Sequence, residues 1–332
     1  MKRSQEEISW WPIFCLLLTP SILHAFSGTE GSSFLELPVG ARPAGMGSAY
    51  SMLAEDAYAP TWNPAGLAFL DSPQLAGMHM MYLESTSYEY GSFVTPLGAG
   101  RGIGFAMQYF RPGSISGLDV NGNPIGDFNG YYANYTIAFG QSFGKTLGVG
   151  FSGNLIRAQI DDISGQAFAG GGGLLFRPNS QWRLAAVLSN AGQKLTLLNT
   201  GDSLPLVYRI GAAYHPHPSW TIALEGAQQN KGLTSGHAGV EYETPFGFTF
   251  RTGYNTERTR ELSALAGLSL GVSMLLWNQD FGYTWLPLGD LGSSHLISLV
   301  WHFGRGAKNL DEDPHHLQRP PTEEEMDYKL DN

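Results

Sequence analysis

Five charged residues in the second half of the chain have the types and spacing from which acid–base chemistry could be built. They occupy alternate positions in consecutive apolar segments: Arg209, Glu225, Glu241, Glu243 and Arg251. Two neighbouring carboxylates can act as general acid and general base. Because no nucleophile or oxyanion-stabilising group accompanies them, the sequence predicts no enzyme. We interpret the five as an inward-facing charge cluster, which either stiffens a wall by ion pairing or lines a polar path or plug contact.

Three short motifs resemble ligand sites but lack the context that those sites need. "GVGFSG" at 148–153 has dinucleotide-loop spacing, yet strand-like alternation continues through it and no helix follows. "DVNGNP" at 119–124 is similar to a calcium loop, but proline stands where glycine is required. The run "HPH" at 215–217 has no third ligand nearby. We therefore predict no cofactor and no metal, and we interpret these motifs as turns and as small residues where a plug meets a wall.

The composition favours a large β structure with much surface that does not face water. Of the 332 residues, 42% are hydrophobic and only 14% are charged, and 43 are glycine. An average soluble domain is about 25% charged. The net charge is −10 and no basic stripe is present, so nucleic acid is not an expected partner.

Both ends of the chain differ from the middle. Lys2 and Arg3 precede an apolar stretch that ends near Ala25, which predicts a signal peptide over residues 1–25; an uncleaved anchor is the alternative. Cys15 lies in this leader, so the mature chain lacks cysteine. Residues 305–332 hold four basic and eight acidic residues with no apolar period, which predicts a disordered acidic tail.

Between these ends, apolar side chains recur at every second position. In "SWTIALEGA", Trp220, Ile222 and Leu224 alternate with smaller or polar residues. Alternation over about ten residues is typical of half-buried strands. It predicts fourteen of them, at roughly 74–84, 87–97, 101–111, 127–140, 145–159, 166–177, 182–190, 205–215, 219–229, 234–243, 247–255, 261–271, 273–285 and 292–303.

The connections between these segments are sorted by parity. Even-numbered ones are short and rich in glycine and proline, including a tight turn at Gly271-Val272, whereas several odd-numbered ones are long and polar. Outer-membrane barrels have short periplasmic turns and longer external loops. Only a helix or a closed barrel pairs every backbone group in lipid. The sequence therefore predicts an all-β, transmembrane, antiparallel up-and-down barrel of about fourteen strands over residues 73–304, with outer-membrane lipid around it.

Residues 26–72 precede the first predicted strand and are too apolar to form a free periplasmic arm. We expect this segment inside the barrel, as a plug or hatch that enters from the periplasm. Asn63-Pro64 would turn the chain. The glycines would let its backbone lie close to the wall. The N-terminus and the C-terminal tail are both predicted to be periplasmic.

The run "GARPAGMGSAYSMLAEDAYAPTWNPAGLA", residues 40–68, resembles the N-terminal signature of the PorV/PorQ family within the FadL-like group of outer-membrane barrels. The positions that carry the resemblance are Gly40, Ala41, Arg42, Gly45, Met46, Gly47, Ala54, Asp56, Ala57, Trp62, Asn63, Pro64, Ala65, Gly66 and Leu67. The loop "GLDVNGNPIGDF" is similar to the first long external loop of that family.

The resemblance implies a fourteen-stranded barrel with a hatch and two alternative roles. A PorV/PorQ-like protein would assist type IX protein secretion or surface attachment, with secretion-system proteins or exported cargo as partners. A FadL-like protein would pass hydrophobic small molecules, such as fatty acids or aromatics, across the outer membrane. The predicted external loops are modest for a hydrophobic capture groove, which favours the first role.

Overall fold

The chain folds as a closed barrel of fourteen antiparallel strands. The structure, a computed structural model, describes residues 32–83, 86–113, 115–197, 200–230, 234–260 and 262–304; the predicted signal peptide and acidic tail lie outside them. Each barrel strand pairs with the preceding and following barrel strands, and the first pairs with the last, with Gln74 opposite His302. The predicted fold class is therefore confirmed.

The described chain contains eighteen strands, of which β4–β5 and β10–β11 form separate two-stranded hairpins and the other fourteen form the barrel. Their bounds are β1 Gln74–Met81, β2 Ser87–Gly98, β3 Arg101–Arg111, β4 Ile115–Leu118, β5 Pro124–Phe128, β6 Gly130–Phe143, β7 Leu147–Ile160, β8 Ile163–Phe176, β9 Trp182–Gly192, β10 Leu195–Leu197, β11 Thr200–Asp202, β12 Val207–His217, β13 Trp220–Gln229, β14 Thr234–Glu243, β15 Phe248–Asn255, β16 Leu268–Leu276, β17 Gln279–Pro287 and β18 Ser293–His302.

Burial alternates along the strands as the sequence predicts. In β13, Trp220, Ile222 and Leu224 are 42%, 40% and 61% exposed, whereas Thr221 and Glu225 are buried. Successive side chains of a strand point to opposite faces of a sheet. The apolar residues are therefore on the outer surface of the barrel, where lipid would cover them, and the small and polar residues face the lumen.

One predicted turn is wrong. Gly271 and Val272 lie within β16, and the turn falls at Trp277-Asn278, where both residues have positive φ, 48° and 65°. Two positive φ values form the type of two-residue hairpin that matches strand twist. Gly271 is glycine for another reason, because a Cβ there would lie 3.3 Å from Gly45 Cα of the N-terminal segment. Glycine in a strand often marks close approach of another backbone.

The two ends of the barrel differ in their connections. We call the end with the turns 99–100, 144–146, 177–181, 218–219, 244–247 and 277–278 the short-turn end. The opposite end, which carries the connections 112–129, 193–206 and 256–267, is the long-loop end. The hairpins β4–β5 and β10–β11 lie within two of these long connections, which the sequence predicts only as loops. The assignment of the short-turn end to the periplasm stays a prediction.

The helices of the structure are short and lie mostly before the barrel. They are α1, Ala41–Gly45, and α2, Ala59–Trp62, with 3₁₀ turns at Ser33–Glu36, Pro64–Phe69, Ala264–Gly267 and Gly289–Leu291. Among the described residues, no helix has the length and apolar character needed to cross a membrane.

Candidate functional site

The segment of residues 32–72, here called the hatch, lies inside the barrel. Phe34 packs at the long-loop end, with ring centroids 6.2 Å from Phe110 and 5.8 Å from Tyr132. The hatch then passes through the lumen and reaches the start of β1 at the short-turn end. The first described residues are therefore far from the short-turn end. The division into a hatch domain and a barrel domain stays a prediction.

Every barrel strand contacts the hatch. The strand residues involved are Met78 (β1), Tyr90 (β2), Gly102 (β3), Gly140 (β6), Gly150 (β7), Leu174 (β8), Arg183 (β9), Gly211 (β12), Glu225 (β13), Glu241 (β14), Gly253 (β15), Ser269 (β16), Thr284 (β17) and Ser298 (β18). Five of these contacts are close approaches to wall glycines, by hatch backbone at four of them and by the Met52 side chain at Gly211. The others are polar and fix the orientation of the hatch.

Asn63, the centre of the predicted motif, is fully buried and holds three parts of the molecule together. Its amide donates to the carbonyls of Ser51 at 2.9 Å and Leu174 at 3.2 Å, and its Oδ1 accepts from Ala65 N at 3.0 Å. The last bond caps the 3₁₀ turn that begins at Pro64. The Asn-Pro pair thus turns the chain, as predicted, and also attaches the turn to β8.

Glycines in the wall make room for this turn. A Cβ at Gly150 would lie 2.2 Å from the carbonyl carbon of Pro64, and one at Gly102 would lie 2.1 Å from Leu67 O. Within the hatch, a Cβ at Gly66 would overlap Ala54 O at 1.6 Å. Gly150 belongs to the "GVGFSG" run, which therefore marks a plug contact inside a strand.

The remaining motif residues pack α1 against the opposite wall. Gly40 has φ 91° and faces the Tyr58 ring, so a side chain there would be strained and crowded. Ala41 O accepts from Thr284 and Gly45 O accepts from Ser269. Met46 is fully buried, and the Gly47 backbone lies directly against Gly253 in β15.

The structure divides the predicted charge cluster into two groups, and both groups attach the hatch. In the first, buried Glu241 accepts from Arg42 Nη2 at 2.8 Å and from Arg251 Nε at 2.5 Å. Arg42 also lies 3.6 Å from Asp56. Burial raises the pKa of the Asp56 carboxyl, and the Arg42 guanidinium opposes that rise. The motif residues Arg42 and Asp56 are thus ion-pair partners within the hatch.

In the second group, Glu225 joins the wall to the middle of the hatch. Its carboxylate accepts from Ser51 N at 2.9 Å and from Arg209 Nη1 at 2.9 Å. The Arg209 guanidinium lies 5.3 Å from the Trp62 ring centroid, and the edge of Trp62 meets Tyr50 at 5.9 Å. We call Tyr50, Trp62 and Arg209 the partition, because Trp62 and Arg209 line one cavity and Tyr50 lies between Trp62 and Arg42, which lines another.

The two cavities differ in size and lining. The long-loop chamber, of about 60 Å³, is lined by Leu35, Glu36, Leu37, Val39, Pro60, Thr61, Trp62, Gln108, Asn134, Thr136, Ser152, Asn154, Ser189, Asn190, Val207 and Arg209. The short-turn chamber, of about 240 Å³, includes Arg42, Asp56, Glu243, Arg251 and Asp280 in its lining. Glu243, the fifth residue of the predicted cluster, therefore faces this second chamber.

Sequence reasoning missed the amides and hydroxyls of the long-loop chamber. Gln108, Asn134, Thr136 and Asn154 lie on the inward faces of β3, β6 and β7. The available signal was a polar residue at inward positions of three successive predicted strands. The residues of the "HPH" run bond locally instead: His217 Nδ1 accepts from Ser219 N, and His215 Nδ1 lies 3.0 Å from the Thr221 hydroxyl.

Comparison with known proteins now adds to this geometry. A model of an uncharacterised protein family, UPF0164, matches residues 24–169. No protein with curated annotation matches the sequence. Solved structures match over most of the barrel. The fold is that of the FadL-type outer-membrane barrels.

Three similar structures show the extent of this likeness. The toluene transporter TbuX of Ralstonia pickettii has a TM-score of 0.58 at 14% identity, covering 80% of this chain and 98% of its own. The monoaromatic hydrocarbon channel CymD has a TM-score of 0.56 at 12% identity, covering 80% of this chain and 97% of its own. A FadL homologue of Pseudomonas aeruginosa has a TM-score of 0.53 at 12% identity, covering 80% of this chain and 99% of its own. At these identities the comparison shows the fold.

Proposed function

We propose that this chain is a passive outer-membrane channel of the FadL-like type, which carries small, largely hydrophobic molecules past its hatch. The observation that carries the proposal is the arrangement of the lumen. A hatch that contacts all fourteen strands leaves two chambers, and the side chains of Trp62, Tyr50 and Arg42 lie between them. Such a lumen is closed at rest, and a small movement of a few side chains would join the chambers.

The similar structures support this class of cargo. Two of them are named for toluene transport and for monoaromatic hydrocarbon transport, and their barrels align with this chain over nearly their whole lengths. The described residues also form no group of three or more His, Cys, Asp or Glu side chains arranged to hold a metal ion. The secretion role implied by the PorV/PorQ resemblance stays a prediction, and its motif residues are explained here by packing of the hatch.

Uptake measurements in cells test the proposal. The chain would be expressed in the outer membrane of a Gram-negative host that lacks FadL-type proteins, and entry of radiolabelled toluene would be followed. We expect entry to rise with the amount of folded barrel and to continue without metabolic energy. Equal entry with and without the protein, at confirmed expression, would refute the proposed function.

A matched pair of variants tests the partition. Trp62 is 7% exposed, and its indole donates to Val39 O at 3.0 Å. We expect Trp62→Ala to remove the long-loop side of the partition and increase uptake several-fold. Trp301→Ala removes the same side chain from the lipid-facing surface, where Trp301 is 44% exposed, and should leave uptake unchanged. Equal effects of the two substitutions would place the path elsewhere.

A further inference from the structure

A ladder of polar side chains crosses four neighbouring strands on the inner face of the barrel. Gln108 Nε2 donates to the Tyr88 hydroxyl at 2.7 Å, and Asn134 Nδ2 donates to Gln108 Oε1 at 2.6 Å. Asn134 Nδ2 also donates to Thr136 Oγ1 at 3.3 Å, and that hydroxyl donates to Asn154 Oδ1 at 2.7 Å. The three amides and two hydroxyls thus form one connected chain of hydrogen bonds.

The ladder leaves one strong acceptor without a partner. Asn134 is 4% exposed, and among the described residues its Oδ1 has no hydrogen-bond partner. Both of its donor interactions are already directed along the ladder. A buried carbonyl oxygen without a donor costs free energy, and most such groups in folded proteins are satisfied. Since Asn134 lines the long-loop chamber, a molecule in the chamber, water or ligand, can supply the donor.

The hatch side of the same chamber is mostly apolar, with Glu36 and Thr61 as its polar members. Leu35, Leu37, Val39 and Pro60 line it, together with the Trp62 ring. At about 60 Å³ the chamber is smaller than the roughly 150 Å³ cavity known to hold a benzene ring. It therefore has room for the polar end of a ligand and a few more atoms, while the rest of the ligand would lie towards the long-loop end.

The charges around the chamber disfavour anions. Arg209 reaches it, but its guanidinium is already bonded to Glu225 and lies over Trp62. Glu36 adds a carboxylate to the lining. A carboxylate ligand would bring only acceptors to a site where the open position is itself an acceptor.

We propose that the long-loop chamber selects small amphipathic molecules that carry a hydrogen-bond donor, namely phenols and alcohols, over hydrocarbons and over carboxylates. The donor hydroxyl bonds to Asn134 Oδ1, and the apolar part lies along the hatch. A site built to bond a hydroxyl rejects the analogue that lacks it, because its own polar group is then left unpaired. This inference rests on the proposed channel function and names the cargo that the channel prefers.

Phenol, toluene and benzoate provide the test, because they share a ring and differ in one substituent. Equilibrium dialysis of the labelled compounds against the full-length protein in detergent, with detergent alone as background, would give three dissociation constants. We expect phenol to bind about tenfold more tightly than toluene, the size of one well-made buried hydrogen bond. Benzoate should bind more weakly than phenol. Toluene or benzoate binding as tightly as phenol would overturn the proposal.

Two substitutions on the ladder separate the acceptor from the scaffold that holds it. Asn134→Leu keeps the approximate volume and removes the acceptor, so the preference for phenol over toluene should disappear. Thr136→Val breaks the ladder next to it and leaves Asn134 Oδ1 in place, so the preference should persist. Loss of preference in both variants, or in neither, would show that Asn134 is not the recognition group.

The binding and uptake experiments fail in different ways. Toluene uptake without any phenol preference in dialysis would leave the channel function standing and remove the selectivity. Phenol binding without uptake of any compound would remove the channel function and leave a binding site.

Discussion

Replacing Glu241 with glutamine should loosen the hatch more than any other single charge change in the lumen. The Glu241 side chain is 1% exposed and is bonded to Arg42 of the hatch and to Arg251 of the wall. Removing one member of a buried ion pair costs about 3–5 kcal/mol, because the remaining charge is left buried. Glutamine keeps one acceptor, so we expect about 3 kcal/mol. Because about 1.4 kcal/mol changes an equilibrium constant tenfold, the fraction of molecules with a detached hatch should rise on the order of 100-fold.

A single cysteine reports on that detachment. Cys15 is the one cysteine of the chain, so a Cys15→Ser background is free of thiols, and Ala49→Cys then places one at a fully buried hatch position. Maleimide reacts with this thiol only when the hatch opens. If the hatch recloses faster than maleimide reacts, the labelling rate is proportional to the fraction of molecules with an open hatch. The barrel itself is checked separately by its resistance to unfolding in unheated dodecyl sulfate gels.

The matched control is Glu89→Gln. Glu89 lies on the outer face, where its side chain is 42% exposed and paired with His79. Exposed ion pairs contribute about 0–1 kcal/mol, so labelling should barely change. An unchanged labelling rate in Glu241→Gln would show that packing alone holds the hatch. Loss of the folded barrel together with the hatch would show that they unfold as one unit.

Other substitutions test the packing around the hatch. Gly150→Val should displace the hatch and raise labelling of the same reporter, because its Cβ would overlap the hatch backbone, whereas Gly77→Val, with no atom within 4 Å, should not. Asn63→Leu leaves two buried carbonyl groups and one buried N–H group without hydrogen-bond partners. Each unpaired group costs about 1–3 kcal/mol, so the labelling rate should rise at least tenfold. Gly271→Val should also detach the hatch, whereas Trp277→Gly should be tolerated in both labelling and gel assays, because glycine adopts a φ of 48° without strain.

The number of strands and the direction of their side chains could be predicted because both depend on local pattern. In a strand such as β13, apolar side chains alternate with small or polar ones because one face of the sheet is on the outer surface and the other faces the lumen. This alternation can be read directly from the sequence. The turn at Gly271-Val272 was predicted wrongly because glycine has two uses in a strand. It ends strands at turns, and it also admits a second backbone, here that of Gly45.

The partners of the charged residues could not be predicted, because they depend on contacts across the whole chain. Arg42 and Glu241 are 199 positions apart, and neither position reveals the other in the sequence. That the Glu241 side chain points inward was predictable, because the alternation of side chains along one strand is a local pattern. Its use as an attachment point for the hatch required the path of residues 32–72 through the lumen. The acceptor of Asn134 is a similar case, because it is left open only by the bonds that its neighbours make.

The distribution of hatch contacts limits how such a channel can open. Expulsion of the whole hatch would break contacts with all fourteen strands at once, including the ion pair of Arg42 with buried Glu241 and the hydrogen bond from Ser51 N to Glu225. Breaking the Arg42–Glu241 pair alone costs about 3–5 kcal/mol, so complete exit would be rare on this ground alone. The partition is different, because opening it moves side chains only: the Trp62 and Tyr50 rings separate and Arg209 turns away from Glu225, which breaks one buried pair and leaves the other hatch contacts in place. Passage should therefore depend on rotation of these side chains, and substitutions at the partition should change transport without releasing the hatch.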